Sequence, residues 1–513
     1  LGLTLPMARP SRIARLLVMN TTLATGASPS EGFENWRTYC RANPDLQIGR
    51  LMQRSVPALT QDEAAAYDAP FPDASYKTGV RRFPEMVMTT PDMEGTDISK
   101  QAIEYLSTAW QGQSFMAIGM QDPVLGPEVM TTLRASIRGC PPPLEIANGG
   151  HFISRHNGQV VFVRHAITGE KAIVKITSVS SKLAHGDAVE ILSESTDRIK
   201  PICNYAIPGG CGGCDFQHIN MSAQQKFKLE VIRDQFMRIA RMEVDPEMVS
   251  VEPKNGLGWR TRFNFAISEN GKAGLYAPKT KKVVEIDRCA IAVKEINESS
   301  LFNEEWGGTD RVRVSVSSSN QVNISRGKMT VSGPKKIREL VDKNVYAISP
   351  QSFWQSHKEA PKILSDLAIS FMKLKQGDVV CDLYGGVGLF TMPVADKVGS
   401  KGHVHMIELS NHAIRDASKI FKKYKNVTIH KGLVDKKLSQ LNNIDAILLD
   451  PPRAGAGKST IDKIVSKSPK RIVYISCDPA SLARDSRFLE NSGYSLDKIN
   501  VIDLFPMTHH VES

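Results

Sequence analysis

Long apolar runs are missing from this 513-residue sequence. Nothing in it approaches the roughly 18 to 20 consecutive apolar residues of a membrane span, and its start lacks the charged-then-apolar order of a secretory leader. A membrane partner is therefore not expected, and a cytoplasmic protein is. Internal repeats and low-complexity tracts are also missing, which sets aside repeat arrays. Cysteine is sparse, eight in all, and unevenly placed, with Cys203, Cys211 and Cys214 packed together. In a reducing compartment such clustering speaks for a metal over disulfides. An initiating Met is absent: the chain begins at Leu1, which reads as processing or as a fragment.

The length implies two to four domains of about 100 to 200 residues each. A hydrophobic fraction of 41% fits a globular protein. The net charge of +11 would draw the molecule to a polyanion through counterion release, though charge alone is weak evidence for nucleic acid.

Four textures follow one another along the chain. Residues 1–147 carry mixed segments and Pro-rich turns, with no surface basic enough for RNA. Residues 148–198 alternate apolar and polar positions in short runs such as GQVVFVRHA and DAVEILSES, the pattern of a small β-barrel. Residues 199–345 hold the cysteines, a helix at AQQKFKLEVIRDQFMRIA and strand-like pieces, an α+β domain. From 346 to 513 the runs DVVCDLYG, HVHMIELS, VTIHKG, DAILLDPP and RIVYISCDP alternate with helical segments, as in a doubly wound parallel sheet. The fold class expected is thus multidomain α/β. Ligands of such sheets bind beyond the carboxyl ends of the strands.

At those ends lie the chemically informative residues. Gly385, Gly386 and Gly388 of DLYGGVGLF stand in a strand-to-helix turn, where glycine allows close approach of the backbone to a ligand. Glu408 ends the next strand, the spacing at which an acid holds the two hydroxyls of a ribose. Nicotinamide cofactors and S-adenosyl-methionine share that geometry. Asp450 opens the rigid loop of LLDPPRAG, and Cys477 lies between a strand and a helix whose amino terminus would favour the thiolate. Glu512 sits on the Pro-containing tail DLFPMTHHVES.

In this order and spacing, DLYGGVG, DPPRAG, SCDPASLARD and FPMTHHVE resemble the RNA 5-methyluridine methyltransferase family, from about residue 148 to the end. The resemblance implies a Rossmann-like class I methyltransferase domain over 346–513 that uses S-adenosyl-methionine. It implies that Cys477 adds to carbon 6 of a uridine and that Glu512 removes the carbon 5 proton. Gln355, Tyr384, Glu408 and Asp450 would contact the cofactor, and Arg453 would orient the nucleotide. Gly385 stands where a Cys is frequent and Asp478 where Asn is usual; neither change removes a reactive group. The target base must leave its stack, so a loop or single-stranded uridine is expected.

Cys203, Cys211 and Cys214 form C-x7-C-x2-C, and Cys289 is the other cysteine of that domain. Zinc is the ordinary reading of CxxC, and four thiolates equally suit a [4Fe-4S] cluster. Members of the resembled family with CGGC carry the cluster, with Cys289 matching the fourth position, so the cluster is favoured and zinc is the alternative. Its role would be structural or in RNA placement, since the chemistry needs no electron. Residues 148–198 resemble the TRAM domain, an OB-like barrel that binds RNA, with Arg155, Lys171, Lys175 and Lys182 as suitable charges. Arg260 and Arg262 match a family motif and are expected to touch RNA or brace the domain. Ribosomal RNA is favoured over transfer RNA because the iron-sulfur branch is mostly ribosomal, and no obligate protein partner is evident.

Residues 1–147 are similar to successive segments of haloalkane dehalogenases, a partial α/β-hydrolase. Asp122 matches that family's charge-relay acid, His151 its general base and Trp36 a halide-contacting tryptophan. The nucleophile would precede the first residue, so no hydrolysis is expected. His151 equally reads as a barrel residue, and the segment is expected to bury its central faces poorly. The competing functions are a dehalogenase-like hydrolase and a non-catalytic RNA-binding protein.

Overall fold

The computed structural model describes the chain except residues 1, 20, 56–58, 118–123, 126, 141–145, 148–150, 157–158 and 180–182. Two compact units divide it, residues 1–144 and residues 145–513.

In the first unit the strands Arg15–Met19 and Gln113–Ala117 pair in parallel. Helices connect them, among them Glu31–Ala42, begun by the Ser30 hydroxyl accepting from Phe33 N–H, and Thr96–Thr108. Contrary to the sequence expectation, this unit does bury a core: Ala102, Leu106 and Met130 are fully enclosed, with Val18, Trp110 and Met116 beside them. The expectation holds on the other face of the first strand, where Leu17 and Met19 are 64% and 60% exposed. Parallel strands are ordinarily covered on both faces, so this face is unusual.

The second unit begins with a five-stranded sheet, the strand number of an OB-like barrel. Its strands Gln159–Arg164 and Leu183–Ser193 run parallel, and its other neighbours antiparallel. Val161, Val163, Ala184 and Ala188 form its core. Lys171 and Lys175 project outward from Lys171–Val179, while Lys182 lies outside the described residues.

The middle of the unit is α+β. A six-stranded antiparallel sheet packs Phe263, Phe265, Val312 and Val314 against Trp259 and Ile291. The helix Met221–Gln235 starts at Asn220, whose side chain accepts from Ala223 N–H.

Every strand read between residues 379 and 474 is present. The sheet order is Val427–Lys431, His403–Glu408, Val379–Leu383, Ala446–Leu449, Arg471–Tyr474, all parallel. The two faces alternate as the pleat demands. Val380, Val404, Met406 and Leu448 enter one core, and Cys381, Leu383, Ile407, Ile447 and Leu449 the other. Chain order reverses beside Val379–Leu383, the switch point where such sheets bind ligands. No helix among the described residues is long and apolar enough to cross a membrane.

Candidate active site

The turn after Val379–Leu383 has three positive φ angles, at Tyr384 (62°), Gly386 (57°) and Gly388 (93°). A side chain at Gly388 would run into the Phe421 ring, 2.2 Å from where its Cβ would stand, whereas at Gly386 nothing lies within 4 Å. The first glycine is required by packing, and the second leaves bare backbone facing open space. Glu408 is fixed against this turn. Its carboxylate accepts from Gly386 N–H at 2.8 Å, Leu409 N–H at 2.7 Å and Ser410 N–H at 2.6 Å. Three of roughly four acceptor positions are thus used, and the remaining one is aimed by the others. The donor set suits an adenosyl cofactor: an acid held at a bare glycine turn.

Gln355 is buried in the loop between Asn344–Ile348 and the helix Ala360–Met372. Asp416 braces that loop, accepting from Ser349 N–H at 2.7 Å and the Ser352 hydroxyl at 2.8 Å. Tyr384 packs its ring on the Cys381 side of the sheet. Asp450 follows Ala446–Leu449, and burial together with the nearby Asp382 carboxylate pushes its carboxyl well above the usual range.

Cys477 is brought to Glu512 by backbone pairing. Ser476 N–H donates to Ser513 O at 2.7 Å and Ser513 N–H returns to Ser476 O at 2.9 Å, while Ile502 N–H donates to Glu512 O at 2.7 Å. The tail therefore lies between the strand end that carries Cys477 and the strand Asn500–Ile502. Glu512 is buried, which together with Asp450 raises its carboxyl well above normal, opposed by Arg453.

One sequence expectation is overturned. The helix Pro479–Glu490 does begin just after Cys477, but the thiol is not acidified. Burial, then the Glu512 and Asp450 carboxylates, push it up to about 11, with Arg453 opposing. A helix end carries only about half a charge, which is too little against desolvation and two acids. Asp478 caps the helix by accepting from Ser481 N–H at 2.8 Å, a task Asn performs equally, so the departure at this position is structurally neutral.

Asp485, within the quoted SCDPASLARD, has a role that the sequence reading missed. Fully buried, it accepts from Ala456 N–H at 2.7 Å, Gly457 N–H at 3.1 Å and the Tyr474 hydroxyl at 2.8 Å. It ties the DPPRAG loop to the helix that follows Cys477. An acid on the inward face of an amphipathic helix is the signal that could have found it.

Cys203, Cys211, Cys214 and Cys289 line one pocket with Gln217 and Arg260. Burial is the first cause raising the thiols of Cys211, Cys214 and Cys289, the last up to about 11, and no carboxylate or imidazole lines the pocket. Among the described residues, no three His, Cys, Asp or Glu gather closely enough to hold a single metal ion. Of the two roles expected for the arginine pair, Arg262 takes the bracing one, with Nη2 2.9 Å from Glu339 Oε1 and both side chains buried.

Trp36 stacks edge-on to Phe33 at 6.0 Å, Asp122 lies outside the described residues, and His151 is a strand residue of the second unit, its ring 5.7 Å from that of His185.

The family profile described as tRNA (Uracil-5-)-methyltransferase matches residues 398–513, and the TRAM domain profile matches residues 144–189. An uncharacterized RNA methyltransferase of Streptomyces avermitilis is 36% identical, over 72% of this chain and 95% of its own length. One from Thermotoga maritima is 30% identical, over 72% and 96%. The Pyrococcus abyssi tRNA (uracil-54, C5)-methyltransferase, solved with S-adenosyl-L-homocysteine, shares the fold at a TM-score of 0.56 and 23% identity, over 72% of this chain and 97% of that one. A haloalkane dehalogenase of Paraglaciecola agarilytica is 42% identical over 28% of this chain and 49% of its own, with a TM-score of 0.27. With a glycine turn and acid suited to an adenosyl cofactor, a cysteine facing a buried glutamate, and relatives spanned almost end to end, this chain belongs to the S-adenosyl-methionine-dependent RNA (uracil-5-)-methyltransferase family.

Proposed function

We propose that this enzyme methylates carbon 5 of a uridine in RNA through a covalent adduct between Cys477 and carbon 6. The observation that carries the reading is the pairing of Ser476 with Ser513, which sets a cysteine and a buried glutamate at one point on the sheet's carboxyl edge. The cofactor supplies an electrophilic methyl group; Gln355, Tyr384, Glu408 and Asp450 would hold it. The Cys477 thiolate adds to carbon 6, which makes carbon 5 an enolate nucleophile. Arg453, exposed on the DPPRAG loop with Nη2 3.3 Å from His510 Nδ1, orients the nucleotide. After carbon 5 has accepted the methyl group, Glu512 takes its proton, the carbon 5–carbon 6 double bond re-forms and the thiolate leaves.

The four-cysteine pocket suits a [4Fe-4S] cluster better than zinc. Thiolates on one tetrahedral zinc lie about 4 Å apart, from a Zn–S bond of about 2.3 Å, whereas in a cluster each thiolate binds its own iron. Such buried thiols, held neutral by desolvation, need a cation to ionise them. We read residues 148–198 as an RNA-binding barrel, 199–345 as the cluster domain, 346–513 as the catalytic domain and 1–147 as a hydrolase-like segment. Ribosomal RNA is the favoured substrate. Transfer RNA is the second reading, favoured by the matched profile's description. The cytoplasm is the fitting compartment for either.

Incubation with methyl-labelled S-adenosyl-methionine and separated ribosomal and transfer RNA lacking 5-methyluridine tests this reading. Labelled 5-methyluridine is expected in ribosomal RNA from wild type and not from Cys477→Ala. Label formed equally by the variant would overturn the covalent route, and label confined to transfer RNA would overturn the substrate.

A further inference from the structure

We infer that Asp215, beside the cysteine cluster, positions the base-bearing tail and so governs release of the covalent adduct; this rests on reading Glu512 as the general base. The tail from Phe505 to Ser513 has no helix or strand of its own. Its far end is fixed by Ile502 and Ser476, as described. Its near end is fixed at Met507, whose carbonyl accepts from both Asp215 N–H and Phe216 N–H at 3.0 Å. Met507 N–H donates to Gln224 Oε1 at 2.8 Å, and Lys228 donates to Phe505 O at 2.9 Å.

Between those ends the His509 side chain reaches the Asp215 carboxylate. His509 Nδ1 lies 2.6 Å from Asp215 Oδ2, three residues before Glu512. The other carboxylate oxygen, Oδ1, faces Arg164 Nη2 of the barrel at 3.2 Å. Arg164 and Asp215 are 7% and 13% exposed, so solvent weakens this link little. Within that span Thr508 bonds back to Phe505, His510 meets Arg453 and Val511 is buried, and the His509–Asp215 contact is what ties it to the cysteine-bearing segment. His509 lies three residues before Glu512 on an irregular stretch, so a shift of its imidazole would be passed along the backbone to the base.

The chemistry makes this visible. Methyl transfer forms the carbon 5–methyl bond while Cys477 sulfur remains on carbon 6. Resolution requires Glu512 to take the carbon 5 proton, whose electron pair becomes the double bond as sulfur departs with its own pair. A displaced base leaves the first half intact and strands a methylated protein–RNA adduct. Displacement by about 1 Å costs on the order of 10²-fold.

The full-length protein, unlabelled RNA and methyl-labelled S-adenosyl-methionine are combined, and label is followed on denaturing gels as free RNA or as protein-bound adduct. Glu512→Gln is expected to trap label on protein. Asp215→Asn and His509→Gln are each expected to slow release roughly tenfold or more and accumulate adduct, with the rate of adduct formation and the iron content within about twofold of wild type. His509 adjoins no cysteine, so it keeps the inference testable if Asp215→Asn fails to fold. If Glu512→Gln traps nothing, the base assignment falls. If Glu512→Gln traps adduct but His509→Gln releases RNA at the wild-type rate, or loses adduct formation and iron together, the positioning role is overturned and the base assignment stands.

Discussion

On the proposed route Cys477 and Glu512 must each lose a proton to act, and their surroundings oppose it. The thiol is pushed up to about 11 by burial and by Glu512, and the carboxyl is raised by burial and by Asp450. A raised value means that the inactive protonated form prevails until the pH passes it. Activity should therefore climb with pH through the neutral range. Thiolate addition and methyl transfer precede the step that needs Glu512, so we expect kcat/KM to follow the Cys477 thiol alone and to rise by about tenfold per pH unit between about pH 6 and 9 with no acid-side plateau. A flat profile would show that the free enzyme already holds the thiolate. The Glu512 carboxylate is the second cause of the thiol shift, so in Glu512→Gln the Cys477 thiol should ionise at lower pH. Alkylation of the Cys477 peptide against pH, followed by mass spectrometry, reads this directly.

The helix Pro479–Glu490 serves the site through two acids with different tasks. Asp478 caps it, so Asp478→Asn should leave thermal stability unchanged and Asp478→Ala should cost about 1 kcal/mol. Asp485 joins it to the loop that carries Arg453. Replacing Asp485 by Ala strands the half-buried Ala456 and Gly457 amides, at about 1 kcal/mol each. It should also depress kcat/KM far more than loss of the cap does. Thermal denaturation paired with methyl transfer for the three variants separates the two roles. Equal losses in Asp478→Ala and Asp485→Ala would show that only helix stability matters.

The molecule divides between residues 144 and 145, and the relatives correspond to 72% of it. Independent units with their own cores fold independently, so a chain of residues 145–513 should keep methyl transfer within about twofold of full length. It should also resist aggregation better, having lost the exposed Leu17 and Met19 face. Methyl transfer and light scattering of the two chains check both expectations, and a tenfold loss of transfer would assign residues 1–144 a part in the reaction.

Much of the catalytic half was legible in the residues. Parallel strands buried on both faces are short apolar runs, and Val379–Leu383 and Ala446–Leu449 read as such without any partner in view. Gly386 and Gly388 announced a turn because few other residues accept their φ. The core of the first unit was not legible, because Leu106, Met116 and Met130 meet only when distant segments pack. The acidity of Cys477 was misread for the same reason: the helix end that favours a thiolate is local, while the burial and the carboxylates that oppose it come from elsewhere. Order, spacing and residue type thus sufficed for the elements and the family, since these follow from local periodicity and side-chain chemistry. That Ser513 pairs with Ser476, that Asp215 holds His509 across 294 residues, and how far water is excluded around Glu512 were decided by tertiary packing alone, because proximity and desolvation are properties of the folded chain.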